Sequence, residues 1–190
     1  MLGPLWEEMG RLAMVLTGTF SRSLDDKLRF ALPKGLRQQL TGEAEVLYLT
    51  PGTDGSLALY PEQAFERLAD RLASGSPTRR DVRTFSRLFY SQAQRCDLDR
   101  QGRIRISTTL AEMAGLSREI TLVGVRDYIE LWDRDRWQSF CQAQIAQYDV
   151  IAEQAFDLAP LPEQARESNE LQSGDTESVG DRPPSSKHPK

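Results

Sequence analysis

A charged motif that occurs twice is the feature that most restricts how this chain can fold. The stretch LDDKLRFALP at 24–33 is matched by LDRQGRIRIS at 98–107. The alignment pairs Asp25 with Asp99, and Arg29 with Arg103. Both copies continue with apolar residues at alternate positions, which is the pattern of a half-buried strand. We therefore expect the chain to build the same local structure twice.

Each copy of the repeat is predicted to have the element order β-β-α-β-β over about 45 residues. The first copy should have strands at 20–24, 28–32, 45–50 and 56–60, with a helix that begins at Pro33. The second should have strands at 96–98, 103–106, 120–125 and 128–132, with a helix at 109–114. Ser107 or Thr108 would cap that helix, and Gly115 would end it. These patterns predict an α+β fold of two packed, β-rich halves with helices attached.

The repeat also predicts the domain organisation. We expect an N-terminal extension at 1–13, a first domain at 19–64, a helical linker at 65–92, a second domain at 93–136, a C-terminal helix at 137–158 and a disordered tail at 159–190. The tail is rich in Pro, Ser, Glu and Gly, a composition typical of disorder. Residues 1–13 have no counterpart in the repeat, so Met14 is an alternative start.

Helical spacing of apolar residues recurs after each copy of the repeat. The alignment places Tyr60 on Trp132, and Phe65 on Trp137. From Asp133 the apolar spacing continues as far as Ile151, which predicts one long amphipathic helix. Most of these apolar faces should pack in the core, and the remainder are candidates for a subunit interface.

Charge is distributed unevenly along the chain. The net charge is −4, and the predicted tail is acidic. Residues 19–37 nevertheless carry five basic against two acidic side chains, and residues 95–105 carry four against two. The basic excess thus coincides with the two copies of the motif, which leaves a nucleic-acid partner open despite the negative total.

Several classes of site are not supported by the sequence. The single histidine, His188, lies in the predicted tail, so histidine-based catalytic dyads and metal sites are not expected. Cys96 and Cys141 are the two cysteines, and they lack metal-binding spacing. They suggest a reducing, cytoplasmic compartment. No apolar run reaches the roughly 18 residues that a membrane span needs. We therefore expect that the protein is not an enzyme and has no catalytic residue. We also expect no cofactor or metal, no membrane association and no small-molecule substrate.

Strand alternation indicates what the motif can do. The Arg of each copy should point outward from a hairpin whose other face is anchored in the core. Asp25 and Asp99 would accept turn amide hydrogens or brace that Arg, and Gly102 would relieve the backbone beside Arg103. One interpretation is an internal salt bridge that only closes a turn. A second is a DNA-binding surface, since the surrounding cations exceed what a turn needs: Arg22, Lys27, Arg100 and Arg105. Three roles remain open for the basic side chains of the helix at 79–87. They could form a solvated face, pair with acids of a neighbouring subunit, or contact DNA.

These motifs resemble the MraZ family of bacterial transcriptional regulators, within the wider SpoVT-AbrB group. The resemblance is based on LDDKLR at 24–29 and LDRQGR at 98–103. The stretches LTGTF, GLSREITLVGV and YIELWDRDRW also resemble the family. The resemblance covers about residues 14–150. Two positions depart from the family pattern, because Leu28 replaces a Gly and Ser107 replaces a Pro. We therefore expect the first turn to differ in geometry.

The resemblance implies a function as well as a fold. It implies AbrB-like swapped-hairpin barrels, a ring-shaped homo-oligomer, and binding to double-stranded DNA at promoter repeats upstream of a division and cell-wall gene cluster. It further implies regulation there, usually repression, in the cytoplasm and at the nucleoid. Arg29 and Arg103 are then the first candidates for DNA contact, with Lys27 and Arg100 beside them. The alternative is an AbrB-like, antitoxin-type module that holds a partner protein.

Overall fold

The computed structural model describes residues 15–40, 46–76 and 78–157 of the 190-residue chain. The predicted extension at 1–13, the alternative start at Met14 and the predicted tail at 159–190 lie outside the described residues. The chain divides into one unit that ends at Ala143 and a second that begins at Gln144.

Each motif lies in a regular series of strands and helices. In the first half these are β1 (Thr19–Ser23), β2 (Arg29–Ala31), α1 (Lys34–Leu40), β3 (Val46–Pro51), β4 (Leu57–Pro61), α2 (Glu62–Ala73) and α3 (Arg80–Gln92). In the second half they are β5 (Gln94–Asp97), β6 (Arg103–Arg105), α4 (Thr108–Met113), β7 (Glu119–Val125), β8 (Tyr128–Asp133), α5 (Arg134–Ile145) and α6 (Tyr148–Asp157). Both halves therefore have the predicted order β-β-α-β-β followed by helices, which confirms a mixed fold of helices and strands.

The strands of the described residues form two antiparallel sheets. The larger has six strands in the order β1-β7-β8-β4-β3-β5, and β2 and β6 form a separate two-stranded ribbon. The opening strand of each half lies against the other half, because β1 pairs with β7 and β5 pairs with β3. The two halves thus exchange strands, and neither completes its sheet alone.

The hydrophobic core is formed by buried residues of the sheet, the ribbon and the helices α1 and α4. Apolar residues at alternate strand positions are buried, as a half-buried strand requires. From the six-stranded sheet these are Leu47, Leu49, Leu57, Leu59, Ile120, Leu122, Ile129 and Leu131. The ribbon contributes Phe30 and Ile104, which are 1% and 0% exposed. Burying a side chain of this size contributes roughly 1.5–3 kcal/mol, so the ribbon is anchored firmly.

Aromatic rings attach the helices to the sheet in equivalent ways in both halves. In the first half, Tyr60 of β4 contacts Phe65 of α2 with ring centroids 6.5 Å apart and planes at 55°. In the second, Trp132 of β8 contacts Trp137 of α5 at 5.5 Å and 54°. The first half has a further layer, because Phe89 of α3 is buried and stacks on Phe65 at 6.1 Å.

The helical segment after β8 is divided into two helices. We expected one long helix from Asp133 to Ile151, but α5 ends at Ile145 and α6 begins at Tyr148. The backbone turns between them, where the Gln147 amide donates to the Gln144 carbonyl at 3.0 Å. Apolar spacing alone did not predict this break, since the spacing continues across it.

The anchoring of the ribbon can be tested by shortening Ile104. We expect Ile104→Ala to lower the free energy of unfolding by about 2–5 kcal/mol, because it leaves a cavity at a fully buried site. Denaturant titration followed by circular dichroism measures this change. The control is Met113→Ala, at a side chain that is 53% exposed, which should change stability by less than about 0.5 kcal/mol. Equal effects of the two substitutions would contradict the assignment.

Candidate nucleic-acid interface

The first copy of the motif forms a tight turn closed by Asp25. One carboxylate oxygen, Oδ1, accepts the amides of Lys27 at 2.9 Å and Arg29 at 3.0 Å. The other, Oδ2, accepts Nε of Arg29 at 2.8 Å and Nη2 at 2.7 Å. A short acidic side chain that accepts amides two and four residues ahead stabilises this turn. The same carboxylate therefore closes the backbone and holds the guanidinium.

The second copy forms the same network. Oδ1 of Asp99 accepts the amides of Gln101 and Arg103, each at 2.9 Å. Oδ2 accepts Nε and Nη2 of Arg103, each at 2.8 Å. Both expected roles of the acids, closing the turn and bracing the Arg, are thus present in the described structure.

Backbone geometry is also matched at the position where the copies differ in sequence. Gly102 has φ +71° and Leu28 has φ +55°, both in the left-handed region. The amide of each donates to the carbonyl of the Asp three residues earlier at 2.8 Å. The expectation that Leu28 changes the first turn is wrong. The turn hydrogen bonds hold Leu28 in a conformation that costs a non-glycine residue roughly 1–2 kcal/mol.

The two turns are brought together by the β2–β6 ribbon. Phe30 lies opposite Ile104, Arg29 opposite Arg105, and Ala31 opposite Arg103. Hydrogen bonds continue the pairing beyond the strands, from the Ile106 amide to the Leu28 carbonyl at 2.9 Å and from the Leu32 amide to the Gly102 carbonyl at 3.0 Å. The motifs, far apart in sequence, therefore share one small surface.

The ribbon has an apolar face and a basic face. Phe30 and Ile104 point into the core, so by strand alternation Arg29, Arg103 and Arg105 share the opposite face. Arg105 is exposed, whereas the side chains of Arg29 and Arg103 are 29% and 27% exposed. This arrangement presents guanidinium groups on a rigid β element.

Electrostatics within the turns keep both acids ionised. The hydrogen bond from Arg29 lowers the pKa of Asp25 from its ordinary value of 3.8 to about 2. The hydrogen bond from Arg103 likewise lowers the pKa of Asp99. The hydrogen bond to Asp25 raises the pKa of Arg29, and the charge of Asp99 in the other turn adds to this effect.

The remaining sequence candidates fall into two groups. Arg22 is half-buried and structural in its contacts, since Nε donates to the Ala31 carbonyl at 3.1 Å and Nη1 to the Ser21 carbonyl at 2.7 Å. Lys27, Arg100 and Arg105 are exposed. Across the described part of the chain, no hydrogen bond or ion pair engages their side chains. These three cations are thus available to a ligand.

One positioning residue was missed by the sequence analysis. The Gln94 side chain donates to the Arg105 carbonyl at 2.8 Å and accepts the Ser107 amide at 2.9 Å, which ties β5 to β6. A lone glutamine carries no sequence signal for such a role. Of the two caps considered for α4, the structure selects Ser107, whose Oγ accepts the Leu110 amide at 3.3 Å.

The described residues hold no group of three His, Cys, Asp or Glu side chains suited to a metal ion. Both cysteines, Cys96 and Cys141, are free thiols, and burial raises the pKa of Cys96 to about 11. In the described segments, we find no helix with the length and apolar character needed to cross a membrane.

Comparison with known proteins gives a consistent result. A family model described as "MraZ protein, putative antitoxin-like" matches residues 15–88 and again 89–158. The transcriptional regulator MraZ of Moorella thermoacetica is 38% identical over 141 residues, which cover 74% of this chain and 96% of that protein. The transcriptional regulators MraZ of Heliobacterium modesticaldum and Finegoldia magna are 36% and 34% identical, over 74% and 73% of this chain and 96% and 95% of their own lengths.

The strain in the turns can be tested at Gly102. We expect Gly102→Ala to destabilise the protein by roughly 1–2 kcal/mol, because a Cβ is unfavourable at positive φ and would also displace the end of the Arg37 side chain, which lies 2.6 Å from its position. Gly35→Ala is the matched control, since Gly35 lies in α1 and an added Cβ would meet Phe20 at an ordinary 3.8 Å. That change should be neutral or stabilise by up to about 0.5 kcal/mol. Thermal unfolding checks both signs, and a neutral Gly102→Ala would count against the strain.

The bracing role of Asp25 predicts a pH dependence. Its pKa is depressed in the folded state, so its stabilisation is present above its unfolded pKa, about 4, and is lost as pH falls through about 2. Asp25→Asn should lower the melting temperature near neutral pH, and the difference from the parent should shrink as pH falls below about 4 and vanish below about pH 2. Asp26→Asn, at the exposed neighbour, should leave the melting temperature unchanged. A difference that persists at low pH would exclude the ionic brace.

Proposed function

Because the chain belongs to the MraZ family and its named relatives are transcriptional regulators, we propose that it regulates transcription by binding double-stranded promoter DNA through the basic face of the β2–β6 ribbon. The observation that carries this proposal is the convergence of both motifs on that face. Two turns with identical carboxylate networks place three arginines side by side on a rigid, two-stranded element.

The geometry suits contact with nucleic acid. A two-stranded β ribbon fits the DNA major groove, and Arg can bind both phosphate oxygens and guanine edges. Asp25 engages Nε and Nη2 of Arg29, and Asp99 engages the same atoms of Arg103. The Nη1 groups make no bond with the described residues, so each braced guanidinium retains a donor. Bracing would also reduce the entropy lost when Arg29 and Arg103 bind.

The flexible cations would add sequence-independent affinity. Lys27 and Arg100 lie at the turns, and Arg105 lies on the ribbon. Exposed side chains of this kind contact phosphates and release counterions on binding. Arg22 would instead support the site, because its guanidinium holds the Ala31 carbonyl of β2.

The proposal also includes the fold type, the oligomeric state and the DNA site. The exchange of β1 and β5 between the halves supports a swapped-hairpin architecture of the AbrB type. Exposed apolar side chains on α3 and α5, among them Phe85, Leu88 and Phe140, support self-association into a ring-shaped homo-oligomer. The DNA would be the repeats upstream of the division and cell-wall gene cluster, with repression as the outcome and the nucleoid as the location.

A second candidate function has its own observation. The helix α6 exposes Tyr148, Val150 and Phe156, which are 70%, 55% and 78% exposed. Exposed apolar side chains of this kind could hold a partner protein, in line with the antitoxin-like description of the family model. We rank this function second because the paired motifs present a row of arginines on the ribbon, and α6 is not part of that surface.

Substitution of the braced arginines tests the first candidate. We expect Arg29→Ala and Arg103→Ala each to weaken binding to the upstream DNA about tenfold or more, since each removes a charged contact of about 1–3 kcal/mol. Gel-shift titration measures the affinity, and the slope of affinity against salt concentration should fall by about one contact. Circular dichroism should show an intact fold.

The control for these substitutions is Arg67→Ala, which removes an exposed arginine of α2 outside the ribbon. It should bind DNA like the parent. Parental affinity in both ribbon variants would exclude the ribbon as the DNA surface and favour the partner-protein function of α6.

A further inference from the structure

The ribbon is built around an approximate twofold axis. Phe30 and Ile104 occupy equivalent positions of the repeat, and they are also paired with each other across the strands. The same is true of Ala58 and Glu130 in the pairing of β4 with β8. When equivalent residues face each other in an antiparallel pair, a twofold axis passes between them. Rotation about this axis exchanges the two halves.

The axis relates the two cross-strand residue pairs on the outer face of the ribbon to each other. We call the pair Arg29 and Arg105 the first rung, and the pair Ala31 and Arg103 the second rung. Because Arg29 is equivalent to Arg103 and Ala31 to Arg105, the rotation exchanges the rungs. The backbone obeys this symmetry, but the charges do not. The first rung has two guanidinium groups, and the second has one.

The two arginines of the first rung lie at the closest cross-strand spacing. The hydrogen bond from the Ile106 amide to the Leu28 carbonyl brackets Arg29 and Arg105 as a non-hydrogen-bonded pair. In such pairs the Cα atoms are about 4.5 Å apart and the side chains are closer than in the alternate pairs. Like charges directly opposite one another repel. An anion that bridges them would relieve this repulsion.

Carboxylates compensate the two rungs unequally. Asp25 pairs with Arg29 at 2.7 Å, and Asp99 pairs with Arg103 at 2.8 Å. Each rung thus has one arginine that is paired with the acid of its own turn. Arg105 has no carboxylate partner among the described residues, so the first rung retains one uncompensated positive charge. The second rung retains none.

The charges at the tips of the two turns are also unequal. Asp26 and Lys27 at the tip of the first turn cancel each other, whereas their equivalents in the second turn are Arg100 and Gln101. Arg100 and Arg105 are exposed and belong to the same half. The excess charge of the ribbon therefore comes from the second copy of the motif.

We propose that the first rung, Arg29 with Arg105, is a phosphate-binding site without an equivalent at the second rung, and that it gives the ribbon one preferred orientation on DNA. The proposal rests on the DNA-binding function above. A duplex backbone site has local twofold symmetry, so a ribbon with two equal rungs would bind it equally well in either direction. Because only the first rung retains a net positive charge, the stronger phosphate contact lies at the end of the ribbon where Arg29 pairs with Arg105.

Inorganic phosphate tests the rung independently of DNA. In a nuclear magnetic resonance titration of the arginine side chains, the Nε signals of Arg29 and Arg105 should shift at lower phosphate concentration than that of Arg103. Arg105→Ala should weaken the response of Arg29 several-fold. Ala31→Arg should give the second rung two arginines, as in the first, and bring Arg103 to the same sensitivity. An equal response of Arg29 and Arg103 in the parent would overturn the proposal.

Tethered DNA cleavage tests the orientation. An iron chelate is attached at Asp26→Cys or at Gln101→Cys, the two turn tips, in a Cys141→Ser background in which the buried Cys96 remains. Each label should cut at one end of a bound repeat, and the two labels at opposite ends. Ala31→Arg should make each label cut at both ends.

The outcomes separate this proposal from the proposed function. Cleavage at both ends by either label in the parent would overturn the preferred orientation while leaving DNA binding intact. If the parent protein fails to bind the upstream DNA, the proposed function is wrong, and the phosphate titration still decides whether the rung is an anion site. Arg67→Ala serves as the control in both experiments and should behave as the parent does.

Discussion

The pairing of β2 with β6 is the interaction on which the rest of the structure depends. Each strand has three residues, and the burial of Phe30 and Ile104, with Leu32 and Ile106 beside them, stabilises so short a ribbon. Isolated two-stranded ribbons are marginal in water. The core therefore holds the ribbon, and the ribbon in turn sets the spacing of the two turns. The positions of the charged groups on the candidate interface therefore depend on this contact.

Strand exchange makes the two copies of the repeat a single cooperative structure. The strand β1 completes the sheet of the second half, and β5 completes that of the first. Neither half can bury its core residues without the other, so the two turns cannot separate while the protein remains folded. This rigidity suits the proposed DNA-binding surface, since the phosphates of DNA have a fixed spacing.

Backbone symmetry and charge symmetry have different physical origins in this protein. Leu28 adopts the left-handed conformation of Gly102 because the hydrogen bonds of the turn and the contact of its carbonyl with Ile106 offset the strain. No such force acts on the outward-facing side chains of the ribbon. Ala31 and Arg105 can differ without disturbing the fold, so the outer face is free to become asymmetric while the frame stays symmetric.

Features that depend on residues close together in the chain could be predicted from the sequence. Alternating apolar residues predicted the strands, the Asp and Arg of each motif predicted the braced turns, and helix-end chemistry predicted the cap of α4 to within one residue. All of these depend on neighbours a few residues apart. The same local reasoning was wrong about the first turn, because the preference of a leucine against positive φ was outweighed by the hydrogen bonds of the turn and by the bond from Ile106 in the other half. It also missed the division between α5 and α6.

Only the tertiary structure decided which strands pair and which cations meet. Backbone hydrogen bonds are the same for every strand, so the sequence alone does not say that β1 pairs with β7 or that β2 pairs with β6. Those partners depend on how the two halves bury their apolar faces together. The position of Arg105 opposite Arg29, and of Ala31 opposite Arg103, follows from that pairing. The sequence by itself determined the parts of the charged surface, and the long-range packing of the core determined its pattern.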